Sequence, residues 1–168
     1  MFLDESAAKT NMTRLRGRAP RGERVQDHAP AGHWCATTMI GSVRLDGTTA
    51  CMTIEDATDT EVFRAFVQRG LLPTLKSGEV VVRDNLSPHQ NSQTVRLLEQ
   101  AGMRVRFLPP YSPDFNPIEK LWSKVKAALR SAKARTTAAL NDAIAAALSS
   151  ITPEDAAGWF ASCGYSII

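Results

Sequence analysis

Apolar and polar positions along the chain repeat with two different periods, and the changes between them mark the elements. Phe2-Leu3 is a very short apolar run closed by Asp4, which reads as the tail of a strand. After a loop rich in Gly, Arg and Pro, residues 23–28, 34–45 and 49–55 read as strands, with Asp46-Gly47 as the hairpin turn between the last two. That is the pattern of an antiparallel meander. The period then becomes helical. Thr58-Asp59-Thr60-Glu61 has capping-box spacing, and Val62, Phe63, Phe66, Val67 and Leu71 form one stripe that runs as far as Pro73.

Beyond Gly78, the unbroken run Val80-Val81-Val82 suits a strand buried on both faces, and it stops at Arg83-Asp84. Residues 91–100 read as a helix that Gly102 terminates, and residues 104–108 alternate as another strand. Residues 109–117 form a proline-rich, rigid loop running into a helix. Asn116 is a good N-cap there, Pro117 fits the first helical position, and Ile118, Leu121, Trp122, Val125 and Leu129 share one apolar face. An Ala-rich helix near residues 138–148 follows, and a last helix is capped by Thr152 with Pro153 behind it. The strand-helix-strand crossovers make the last two strands parallel to the first. The expected class is α/β, a mixed sheet flanked by helices, in which chemistry collects at the carboxyl ends of the strands.

Composition narrows this only a little. A chain of 168 residues with 43% hydrophobic content fits one domain, residues 1–168. The balance of 20 Lys+Arg against 17 Asp+Glu is mildly basic, but its distribution says more. Lys9, Arg14, Arg16, Arg18, Arg21 and Arg24 crowd one segment, and Lys120, Lys124, Lys126, Arg130, Lys133 and Arg135 crowd another. Such tracts can meet phosphate backbones, although each alone also serves as a solvated face. Cys35, Cys51 and Cys163 are too scattered for a disulfide framework or structural zinc, and the expectation is a reducing cytoplasm. No run approaches the roughly 20 apolar residues needed to span a bilayer, so no membrane partner is expected.

Three acids could carry chemistry. Asp84 ends the valine strand, where the plain alternative is an Asx-type turn with Asn85. Asp4 closes the first strand in the same manner, with Glu5 competing as the inward residue. Neighbouring carboxylates at that edge would repel unless a cation lay between them. Glu119 stands on the first turn of the helix after the proline-rich loop. Its spacing from Asn116 also suits a capping box, and Asp114 competes as the third acid. Carboxylate-only ligation suits Mg²⁺ or Mn²⁺, and two such ions support phosphodiester chemistry. His89 could contact a phosphate or assist proton transfer, but it equally suits a helix start; Trp122 reads as core.

Leu3-Asp4-Glu5-Ser6, Val81-Val82-Arg83-Asp84-Asn85 with His89, and the stretch from Leu108-Pro109-Pro110-Tyr111-Ser112-Pro113-Asp114-Phe115-Asn116-Pro117-Ile118 to Glu119, followed by Trp122, resemble the bacterial insertion sequence 630 transposases. These are relatives of the mariner-type transposases with a ribonuclease H-like core. The resemblance covers nearly the whole chain, and the last motif is the most specific. With 34 residues between Asp84 and Glu119, the interval is the one common in that family, and it selects Glu119 over Asp114.

By this resemblance Asp4, Asp84 and Glu119 are the catalytic triad and the ligands of two ions, Mg²⁺ or Mn²⁺. Asn85 and His89 are active-site neighbours, while Arg14, Arg16, Arg18, Lys120, Lys124 and Lys126 are expected DNA contacts. The implied activity is hydrolysis at transposon ends followed by attack of the freed 3′-hydroxyls on target DNA. The partners are double-stranded DNA and further copies in an oligomeric complex, in the bacterial cytoplasm with the nucleoid. Such transposases usually carry N-terminal helix-turn-helix domains, whereas this chain begins at the first catalytic strand. The expectation is either an upstream frame that supplies DNA binding, joined by frameshifting, or a truncated copy. Two other readings compete: a non-catalytic DNA-binding remnant, and a ribonuclease H-like nuclease without strand transfer.

Overall fold

The computed structural model describes residues 1–55, 59–84 and 92–166. Its centre is a five-stranded sheet: β1 (Phe2–Lys9), β2 (Ala36–Val43), β3 (Thr49–Ile54), β4 (Val80–Arg83) and β5 (Arg104–Phe107), in the order β3-β2-β1-β4-β5. β1, β2 and β3 run antiparallel in sequence, while β4 is parallel to β1 and β5 is parallel to β4. The helices are α1 (Thr60–Phe66), α2 (Ser92–Gln100), α3 (Pro117–Ala132), α4 (Thr137–Ser149) and α5 (Pro153–Ser162). No helix of the described residues is long and apolar enough to cross a membrane.

Two sequence expectations fail here. β1 is not a stub ending at Asp4: all eight of its residues pair with β2, from Phe2 opposite Val43 to Lys9 opposite Ala36. The second half gives little apolar signal, since only small Ala8 reaches the core there while every residue pairs with β2. Residues 23–28 form no strand and lie exposed within a long irregular connection. Val25 is the one apolar residue among the six, too little to bury a strand against the core. The hairpin turn is as expected: Gly47 takes φ 81°, and the Arg44 N–H donates to the Thr48 carbonyl at 2.9 Å.

Strand alternation divides the core in two. Phe2, Met39 and Val43 face α3, α4 and α5, where Ile118, Trp122, Leu140, Ile144 and Phe160 are buried. Leu3, Ile40 and Val81 face the other layer, packing with Phe63 and Phe66 of α1 and Leu98 of α2. Thr58 lies outside the described residues, but Asp59 caps α1 by accepting from the Val62 N–H at 2.8 Å. Past Phe66 the same stripe continues through a π turn at Val67–Leu71 and a 3₁₀ turn at Leu72–Thr74, which absorbs Pro73. At the far end Thr152 and Asp155 close a reciprocal capping box on α5.

One close approach fixes α3 against the sheet. A Cβ on Gly41 would lie 2.7 Å from Cη2 of Trp122, so the indole rests on bare β2 backbone at the very residue that pairs with Asp4. Gly41→Ala should overpack this seat and lower stability by about 1–3 kcal/mol. Urea unfolding measures it, and an unchanged midpoint would mean that Trp122 does not depend on the bare strand.

Candidate active site

The register of β1 and β4 pairs Phe2 with Val82 and Leu3 with Arg83. Carried one residue further, it sets Asp4 beside Asp84. Both line a cavity of about 550 Å³, together with Glu5, Asn116, Glu119 and the loop from Leu108 to Pro113. Asp114 does not line it. β1 supplies Asp4 from mid-strand, the end of β4 supplies Asp84, and the first turn of α3 supplies Glu119.

Asp4 is strongly perturbed. Burial is the chief reason that its carboxyl is raised from the usual 3.8 to about 7, with the negative charges of Asp84, Glu119 and Glu5 adding to the rise and the Glu5 N–H opposing it. That N–H donates to Oδ1 at 2.7 Å, and Nδ2 of Asn116 donates to Oδ2 at 3.0 Å. The second bond shows Asp4 turned toward α3, so strand alternation sends the side chain of Glu5 toward the other face of the sheet.

Asn116 is the residue that sequence reasoning missed. It occupies the N-cap position of α3, yet its side chain makes no capping bond, and the Asn116/Glu119 capping box does not form. Instead it is 4% exposed and reaches Asp4, with its own Oδ1 lacking a hydrogen-bond partner among the described residues. A partner 112 residues away leaves no local signal, and capping was the strongest local explanation. Arg83 was also passed over. It is 2% exposed, with its guanidinium 4.3 Å from the centre of the Phe63 ring. Burial lowers its pKa while Asp84, Glu5 and Asp4 hold it up, so a buried cation balances part of the acids' charge.

The donor set suits a hard divalent cation, since the described polar groups around the cavity are carboxylates and amide or hydroxyl oxygens, with no thiolate or imidazole. Among the described residues, however, no three acid, histidine or cysteine side chains converge closely enough to enclose an ion. Asn85 and His89 lie outside the described residues.

The basic residues are not equivalent. Arg16, Arg18 and Lys120 are exposed. Arg14 pairs with Asp27 at 2.7 Å, and Lys124 is bound to Asp155 of α5. Lys126 is half-buried on α3. Lys133 also reaches Asp27, at 3.2 Å, and Arg135 donates to the carbonyls of Thr10 and Met12 at 2.9 Å each. Part of the second basic tract thus ties down the long connection between β1 and β2.

The strand order and flanking helices define a ribonuclease H-like fold. Three solved structures carry it across nearly all of this chain. The Mos1 strand transfer complex is 16% identical over 99% of this chain and 55% of that one, with a TM-score of 0.68. For the Mos1 transposase paired-end complex with left transposon end the values are 16%, 95%, 50% and 0.69. For the Mos1 mariner paired end complex with Mn they are 14%, 95%, 51% and 0.67. This chain therefore spans about half the length of the proteins it matches. No curated protein sequence matches it. A family model described as DDE superfamily endonuclease matches residues 1–141, and the chain belongs to that superfamily.

The raised carboxyl of Asp4 has a measurable consequence. Unfolded, it ionises near 3.8; folded, near 7, so between those values the unfolded state releases a proton that the folded state keeps. Stability of the metal-free protein should therefore fall as pH rises from about 4 to about 7, by an upper bound of about 4 kcal/mol. Thermal unfolding of Asp4→Asn across this range should show a flatter profile than the unsubstituted protein. Identical profiles would contradict the assignment.

Proposed function

We propose that this chain is the catalytic domain of a mariner-type DNA transposase, which cuts DNA at transposon ends and joins the freed 3′-hydroxyls to target DNA. The observation that carries the reading is the gathering of Asp4, Asp84 and Glu119 around one cavity in a chain of the DDE superfamily endonucleases. These three acids are the proposed ligands of two divalent cations, Mg²⁺ or Mn²⁺. Bound there, such ions would supply the activation of a water or 3′-hydroxyl and the stabilisation of the leaving oxygen. The assignment to the insertion sequence 630 group rests on the motifs around Asp84 and Glu119.

The chain's own residues prepare this chemistry. Asp4 releases its proton when a cation takes over the stabilisation that solvent cannot give, so metal binding and proton release are coupled near neutral pH. Asn116 fixes one oxygen of Asp4 and leaves the carboxylate a single orientation relative to α3. The seat of Trp122 on Gly41 holds the turn that carries Glu119. Exposed Arg16, Arg18 and Lys120 are the proposed phosphate contacts, with half-buried Lys126 beside them and Arg14 and Lys124 contributing once their pairings within the protein rearrange. The Mos1 structures are paired-end complexes, one of them with the left transposon end, which supports duplex DNA as partner and an oligomeric complex. An upstream-encoded DNA-binding domain would supply end recognition in the bacterial cytoplasm.

The test uses labelled DNA spanning the chromosomal segment that flanks this reading frame, incubated with Mn²⁺ and the chain, alone or fused to its upstream frame. Asp84→Ala and Glu119→Gln should each reduce cleavage by about 10³-fold, the several kcal/mol that a correctly held cation contributes. Cleavage by Asp84→Ala equal to that of the unsubstituted chain would overturn the triad. Formation of strand-transfer product separates a transposase from a simple nuclease.

A further inference from the structure

Tyr111 is 97% exposed, more than any other large hydrophobic residue described. It also holds φ at 55°, in the left-handed region that residues with a Cβ avoid. Lys133 is the other described non-glycine residue with positive φ, and there the conformation ends helix α3. Tyr111 terminates no helix. Its strain has no counterpart in the fold, and its ring gains nothing from packing.

The loop that bears it is nonetheless firmly held. Pro109, Pro110 and Pro113 restrict the backbone. The Leu108 N–H donates to the Arg83 carbonyl at 2.8 Å, Oγ of Ser112 donates to the Pro110 carbonyl at 3.2 Å, and the Tyr165 hydroxyl donates to the Phe115 carbonyl at 2.7 Å. A rigid frame thus holds a flat aromatic face in water on the wall of the cavity that contains Asp4, Asp84 and Glu119. Strain kept at such a place, and serving no contact within the protein, points to a ligand.

We propose that Tyr111 is a stacking platform for an unpaired nucleobase next to the phosphate held at the three acids. This rests on the DNA-processing reading above. The chemistry is specific. A base presents an apolar face matching the ring, and a strand being cut or joined exposes bases that have lost their neighbours. Stacking sets the strand's path past the acids and is indifferent to which base is present, because every base offers such a face. Tyr111 is in this account a positioning residue for the DNA strand.

The probe is a pre-cut duplex with a short unpaired overhang carrying 2-aminopurine, in Mn²⁺, with no phosphate left at the end to hydrolyse. Anisotropy reports binding and 2-aminopurine fluorescence reports stacking. The unsubstituted chain and Tyr111→Phe should both bind and quench. Tyr111→Ala should bind about tenfold to a hundredfold more weakly without quenching. Tyr111→Gly should lose quenching too, yet melt no lower than the unsubstituted chain, since glycine accepts the positive φ. Quenching by Tyr111→Ala equal to that of the unsubstituted chain would overturn the platform. So would a Tyr111→Phe variant as weak as Tyr111→Ala, which would make the hydroxyl the contact, or a Tyr111→Gly variant that unfolds early, which would make the residue structural. Binding with no dependence on residue 111 removes this inference alone. No change in anisotropy with any variant removes the DNA reading on which it rests.

Discussion

Leu3 pairs with Arg83 across two parallel strands, and the residue after each is an aspartate. Most of what is distinctive about the molecule depends on that pairing. It puts two negative charges side by side at the edge of a half-buried cavity, where water cannot screen them fully and burial alone favours the neutral acid. The fold meets the resulting electrostatic cost in three ways: a proton on Asp4 up to about pH 7, an amide donor from Asn116, and a buried guanidinium at Arg83 on the other side of the sheet. None of these removes the repulsion altogether. A cation would.

The third acid depends on a different constraint. Glu119 comes from a helix, so its position is set by how α3 lies on the sheet, and that is fixed where Trp122 meets the bare backbone of Gly41. Gly41 is also the residue of β2 that pairs with Asp4. The packing that seats the helix and the pairing that holds the first acid therefore meet at one point. Asn116 joins them a second time, spanning from the start of α3 to Asp4. Substitutions in this small region should be felt both as lost stability and as a displaced carboxylate.

The sequence made some of this legible and hid the rest for definite reasons. The valine run before Asp84, the Asp46-Gly47 turn, the apolar stripe of α3 and the Thr152 cap all act through near neighbours, and each appears in the fold where the pattern put it. The parallel placement of β4 and β5 followed from their helical crossovers. The length of β1 could not be read in the same way, because Glu5 to Lys9 offer only Ala8 to the core and are held chiefly by their pairing with β2. Residues 23–28 show the converse: Val25 is the one apolar residue among the six, so nothing buries the segment against the sheet. Asn116 was visible only as a cap, since its actual partner is near only in three dimensions. The spacing of Asp84 and Glu119 was legible from the family resemblance, and it is Glu119, not Asp114, that lines the cavity.

The central claim is that the three acids together form a site for divalent cations. The most direct measurement is anomalous diffraction at the manganese absorption edge, from crystals of the chain grown with Mn²⁺. The account predicts manganese peaks bounded by Asp4, Asp84 and Glu119, with the carboxylates drawn closer together than they stand without metal. Well-ordered density for all three side chains with manganese absent from between them, or bound only elsewhere on the surface, would contradict it.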